Sequence, residues 1–181
     1  MAFTLQNVNN YCYSETKQIV FQVTIKESQK NQSIWKTSLT FQIKLYIKDI
    51  ALLNEIKQTL DIGSVTIHSK NTANFNMYSI REMQVLVYHF VKYPLITTKY
   101  SDFLLFKQAF EIIKTKGHLT EKGLLEIVRI KSILNLGLSD KLKTAFPNFV
   151  PVSRDAKGKQ FLNLLDSNDN IIELSYIKDG L

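Results

Sequence analysis

Cysteine is nearly missing from this chain. Cys12 stands alone, which excludes an internal disulfide and a cysteine-based zinc site. Arginine is almost as scarce: of 23 basic residues only Arg81, Arg129 and Arg154 are arginines. Lysine meets phosphate as a point charge, whereas arginine forks onto guanine edges, so the basic content favours backbone contact over base readout. No apolar run approaches the length of a membrane span, and a membrane partner is not expected. The first twenty residues hold no arginine and no signal-peptide core, so a protein working in an organelle would be made there or use another import signal. Glycine-rich phosphate loops, serine-centred elbows and paired-cysteine motifs are absent as well, which removes the commonest nucleotide-binding and hydrolase signatures.

What remains is one core's worth of chain. At 181 residues it is long enough for a well-buried interior and too short for two ordinary domains with a linker. Lys+Arg 23 against Asp+Glu 16 gives +7, a moderate excess that favours polyanionic partners. The abundance of Lys, Asn, Ile, Phe and Tyr is also what AT-rich coding sequence produces, as in many organellar genomes, which weakens a purely functional reading of the lysines.

Period-two alternation begins at Gln18, where Ile19, Phe21, Val23 and Ile25 oppose Gln22, Thr24 and Lys26. After a polar loop from Glu27 to Ser33, Leu39, Phe41, Ile43 and Leu45 alternate with Lys36, Ser38, Thr40, Gln42 and Lys44. Lys48 to Leu60 predicts a short helix. Gly63 opens a second strand pair, with Val65 and Ile67 facing in and Ser64, Thr66, His68 and Lys70 facing out, and Asn74 to Ile80 returning. Ser79 and Glu82 form a capping-box pair for a helix from Ile80 to about Tyr93, stopped by Pro94. Two amphipathic helices follow. The first carries Phe103, Leu104, Phe106, Phe110, Ile112 and Ile113 and stops at Gly117, read as the left-handed turn residue; the second repeats the apolar stripe from Leu119 to Leu134. Thr120 is its expected N-cap, and Arg129 and Lys131 suit its C-terminal dipole. A short helix from Ser139 and two prolines close this part. The expected organisation is an irregular arm over 1–17, one domain over 18–150, and a linker with a C-terminal stub over 151–181.

Lys92 to Lys131, KYPLITTKYSDFLLFKQAFEIIKTKGHLTEKGLLEIVRIK, together with TFQIKLYIKDIALLNEIKQTLDIGSV and YSIREMQVLVYHFVKYPLI upstream, resembles the LAGLIDADG homing endonucleases and intron maturases of organellar group I introns. The likeness covers roughly residues 35–152. It implies an α+β fold: a ββαββα repeat whose concave antiparallel sheet, covered on one face by helices, straddles nucleic acid. It also implies carboxylates at the end of a signature helix that hold divalent metal. Aligned on Phe21, the catalytic carboxylate falls near Gln18 and the signature glycine near Ile19. Gln18 is neutral and a poor magnesium ligand. Glu15 is the only nearby acid, and QNVNNYCYSET lacks the small apolar face that pairs two such helices. FLNLLDSND, from Phe161 to Asp169, is a faint second echo, with Asp166 in the first acidic position, Asn168 in the catalytic one and Asp169 in place of glycine. His68, His89 and His118 show no ligand spacing, so surface or capping roles are expected for them.

These residues lead to no expected catalytic or metal-binding site and to a nucleic-acid surface made of Gln22, Thr24, Lys26, Lys30, Lys36, Ser38, Thr40, Gln42, Lys44, Thr66, His68 and Lys70. The favoured reading is a non-catalytic, mitochondrial nucleic-acid-binding protein derived from a homing endonuclease. Its expected partner is RNA rather than DNA, as in an intron maturase or a protein of an organellar ribosome, with ribosomal proteins as neighbours. The alternative is an active site-specific DNA endonuclease, the only case in which a cofactor, magnesium, is expected. A protein-interaction module whose sheet meets another protein is a third.

Overall fold

A computed structural model describes residues 18–28, 35–95, 99–134, 137–146, 163–165 and 171–173. The arm before Gln18, with Cys12 and Glu15, the loop residue Lys30, and the acidic echo at Asp166 lie outside the described residues. Two units are distinguished, Met1–Pro151 and Val152–Leu181. In the second, β5 (Asn163–Leu165) and β6 (Ile171–Glu173) form an antiparallel pair.

The first unit is built on one sheet of order β1-β2-β4-β3, antiparallel throughout. Its strands are β1 (Gln18–Glu27), β2 (Trp35–Tyr46), β3 (Ser64–Ser69) and β4 (Thr72–Met77). Alternation decides the faces. Ile19, Phe21, Val23 and Ile25 of β1, Leu39, Phe41, Ile43 and Leu45 of β2, and Ala73, Phe75 and Met77 of β4 are all buried. Helices cover this side. After a 3₁₀ turn at Ile47–Asp49, α1 (Ile50–Leu60) packs on β2, β3 and β4. The next helix, α2 (Ile80–Lys92), lies on β2, while α3 (Lys99–Lys114) and α4 (Glu121–Leu134) lie on β1. A short α5 (Asp140–Ala145) is tied to the far end of the β1–β2 pair through Lys141–Glu27, and the Phe146 ring that follows it packs against Trp35 in a tilted pair at 5.6 Å. Among the described residues no helix is long and apolar enough to cross a membrane.

Phe21 is the hub of the interior. Its ring lies 5.2 Å from Phe41 and from Phe106, and 6.0 Å from Phe90 and from Phe103, so one side chain joins two strands to two helices. Another tie runs back from α4: the half-buried Lys131 donates from Nζ to the Val23 carbonyl at 3.1 Å, and burial lowers its pKa. Lys131 stands in the last turn of α4, as the dipole expectation placed it, and also anchors α4 to β1. Arg129 pairs within α4 with Glu126, which also accepts from Gln108 on α3.

The capping box at α2 forms in full. Glu82 N–H donates to the Ser79 hydroxyl at 3.2 Å, and the Glu82 carboxylate accepts from the Ser79 and Tyr78 amides at 2.9 and 3.1 Å. Its other oxygen accepts from the Gly63 amide at 3.1 Å, so the same carboxylate fixes the entrance to β3. Burial alone would raise the Glu82 pKa, but the hydrogen bonds from Ser79, Tyr78 and Gly63 outweigh it and hold the group below 4.5. Glu82→Ala should cost about 1 kcal/mol near neutral pH. Because the folded-state pKa is depressed, that contribution is whole above 4.5 and lost as pH falls through the lower folded value. Denaturant midpoints of the two proteins should separate at neutral pH and converge in acid.

Four local expectations are corrected. Lys116, at φ 61, supplies the left-handed turn after α3, and Gly117 instead starts a 3₁₀ turn through Leu119. Leu119 is 71% exposed, outside the stripe, which begins within α4 after the Thr120 cap on Gly123. Leu105 rather than Leu104 is buried in α3, since the packed face runs Phe103, Phe106, Ala109, Phe110 and Ile113. Ile67 is 68% exposed: β3 is an edge strand, and its register with β4 breaks between Ile67 and Ser69.

Candidate nucleic-acid interface

Strand parity that buries one face turns the other outward, and the antiparallel register aligns its residues in rows. Gln18 lies opposite Lys44, Lys44 opposite Asn74, and Asn74 opposite Thr66, a row across all four strands. Beside it run Val20, Gln42, Asn76 and Ser64. Further along β1 and β2, Gln22 meets Thr40, Thr24 meets Ser38, and Lys26 meets Lys36. Positive charge stands at both ends of this face. Lys26 and Lys36 mark one end, Lys44 and the β3–β4 turn residue Lys70 the other, with amides and hydroxyls between.

Two lysines directly opposed across a strand pair repel each other. Nothing in the described structure relieves the Lys26–Lys36 pair, because the nearby carboxylate of Glu27 is engaged by Lys141. The middle of the face is more ordered: Gln42 Nε2 donates to Asn76 Oδ1 at 2.8 Å, and Asn76 Nδ2 donates to the Thr66 hydroxyl at 3.1 Å. Asn74, only 6% exposed, keeps a carbonyl oxygen without a hydrogen-bond partner.

Of the residues expected from sequence, parity brings Gln22, Thr24, Lys26, Lys36, Ser38, Thr40, Gln42, Lys44 and Thr66 onto this face. His68 and Lys70 are exposed at the β3 bulge and turn, at its border. Gln18, Asn74 and Asn76 join them and were not expected. The signal was present in β4, where Asn74 and Asn76 alternate with Ala73, Phe75 and Met77. The expected surface role of His89 is corrected: it is half-buried against Phe90 and Tyr93, its Nε2 is unpaired, and burial lowers its pKa.

No group of three or more His, Cys, Asp or Glu that could hold a metal ion occurs among the described residues. Gln18, where the signature helix should deliver its acid, opens β1 with a neutral amide. The described residues at this position do not by themselves make a magnesium site.

A four-stranded antiparallel sheet backed by helices on its apolar face and open on its polar one is the α+β scaffold of the meganucleases. Residues 20–110 match the family described as LAGLIDADG endonuclease, and the chain belongs to that family. It is 40% identical over 136 residues to the probable intron-encoded endonuclease 3 of Neurospora crassa, covering 74% of this chain and 26% of that protein. The LAGLIDADG meganuclease I-AabMI bound to uncleaved DNA is similar at a TM-score of 0.69 and 34% identity, over 82% of this chain and 50% of that one. I-SmaMI bound to an uncleaved DNA target in the presence of calcium ions is similar at 0.73 and 31%, over 86% and 52%. The chain thus spans about a quarter of that relative and half of each of these meganucleases.

The expectation of RNA over DNA, with ribosomal neighbours, is overturned by these structures, which are meganucleases bound to DNA. Its weakness was physical: a lysine meeting a phosphate does not distinguish the two polymers.

Proposed function

We propose that residues 18–150 form a DNA-recognition half of an intron-encoded, site-specific endonuclease, with the polar sheet face laid along duplex DNA. The observation that carries this reading is the face itself: opposed and terminal lysines flank a hydrogen-bonding centre, on a scaffold shared with DNA-bound meganucleases. Lys26, Lys36, Lys44 and Lys70, with Lys30 of the adjoining loop, would meet phosphates. Gln22, Thr24, Ser38, Thr40, Gln42, Thr66 and His68 would meet base edges or sugar-phosphate oxygens. Carboxylates for magnesium-dependent cleavage would come from outside the described residues, with Glu15 the nearest candidate in sequence. The relative's intron-encoded name and the AT-rich-like composition support synthesis from an intron frame in a mitochondrial genome.

The test is equilibrium binding of the full chain to the intron-free allele of its host gene, across a salt series. Affinity for that duplex should exceed that for scrambled duplex and fall linearly on log–log axes as salt rises. Salt-independent binding, or no preference for the allele, would overturn the proposal. Addition of magnesium, with Glu15→Gln alongside, then reads whether this acid serves cleavage.

A further inference from the structure

The most enclosed polar group on the open face is Asn76. It is 3% exposed although it lies on the side away from the helices, and both ends of its amide are engaged. The relay crosses three strands: Gln42 on β2, Asn76 on β4, Thr66 on β3. Thr66 is exposed and Gln42 partly so, so the two ends of the relay face outward while its centre does not.

We propose that Asn76 is a positioning residue that never touches DNA but couples the base read by Gln42 to the base read by Thr66. The inference rests on the reading that this face meets duplex DNA. Its logic is an inventory of donors and acceptors. In the orientation seen in the structure, Gln42 gives one N–H to Asn76 and keeps its carbonyl and second N–H for a base, the pair that matches adenine N6 and N7. Thr66 accepts from Asn76 with one lone pair and keeps its hydrogen and its second lone pair outward, so it can donate to an acceptor as well as accept.

Turning both amides over satisfies the same three side chains in the opposite sense. The Thr66 hydroxyl then donates to Asn76, and Asn76 donates to the Gln42 carbonyl. Gln42 is left with two outward N–H groups, which match the guanine O6 and N7 acceptors, and Thr66 is left able only to accept. Neither end can reverse without the other. An acceptor under Thr66 therefore requires adenine under Gln42, whereas guanine under Gln42 leaves Thr66 able to meet only a donor.

The full chain would be used to select from a duplex library randomised across the bound site, followed by sequencing of the bound fraction. Native protein should deplete the combination of guanine under Gln42 with an acceptor under Thr66 by roughly tenfold against the other three, within the discrimination a bidentate base contact gives. Asn76→Asp makes the centre an acceptor only, so Gln42 and Thr66 both donate inward. Thr66 then has no outward hydrogen, so adenine should be enriched with a donor and the adenine-with-acceptor combination that the native relay allows should be lost. Asn76→Ala removes the centre, and the two positions should vary independently.

Thermal unfolding of each variant separates a lost fold from a changed preference. A native library in which the two positions vary independently would overturn the coupling, as would an Asn76→Asp profile identical to the native one. Absence of salt-dependent duplex binding by the native chain would instead overturn the DNA-binding reading, and the coupling with it.

Discussion

Glutamate at positions 26, 36 and 44 together should weaken duplex binding on the order of a hundredfold at about 0.15 M salt. Each lysine that neutralises a phosphate releases condensed counterion, so it contributes roughly five- to sixfold at that ionic strength, and three such lysines multiply. The slope of log affinity against log salt should become shallower by roughly 2.7, or about 0.9 for each phosphate no longer neutralised. Stability is read on the single variant, because glutamate at both 26 and 36 restores like charge across the pair. Lys26 and Lys36 face each other directly in the β1–β2 register, so Lys26→Glu alone converts a repulsion into an attraction worth a few tenths of a kcal/mol. For Lys26→Glu, a higher melting temperature with weaker binding marks the charge as serving a partner. A fall in both would mark it as structural and count against the interface.

Phe21→Ala should cost about 3–5 kcal/mol, the largest single loss expected in the fold. Its ring has four aromatic neighbours within 6.0 Å, drawn from β2, α2 and α3, and it is 3% exposed. Truncation pulls the side chain away from all of them, and rings held by separate elements cannot all close on the void. Chemical denaturation provides the measurement. A loss under about 1 kcal/mol would mean that α3 shifts to fill the space and that β1 is held to the helices mainly elsewhere.

Parity made much of this legible from sequence. Ile19, Phe21, Val23 and Ile25 cannot share a face with Gln22, Thr24 and Lys26, so burying the first set exposes the second whatever the tertiary details. Ser79 and Glu82 were equally readable, because a capping box is a local arrangement. Positions governed by the end of an element were not. Lys116 takes the left-handed turn beside an available glycine, and Leu119 follows the apolar spacing yet falls in a 3₁₀ turn outside the helix it was assigned to. Ile67 obeys the alternation, but an edge strand with a broken register leaves it uncovered. The asparagines of β4 were missed because Asn reads first as a turn former, and only the sheet register shows Asn74 and Asn76 at the centre of a face. The choice of polymer was invisible for another reason: lysine-rich sequence encodes affinity for phosphate, which both nucleic acids share.

The unbroken pairing of β1 with β2 has a consequence for retargeting. Outward side chains along a strand recur about every 6.7 Å, close to twice the roughly 3.4 Å rise of B-form DNA. Because β1 residues stand directly opposite their β2 partners, the two strands share one phase and keep the same steps in reach. A duplex laid along them is sampled in two-base-pair strides. Altering the target of such a surface would therefore proceed by dinucleotide blocks, each served by a cross-strand pair such as Gln22 with Thr40.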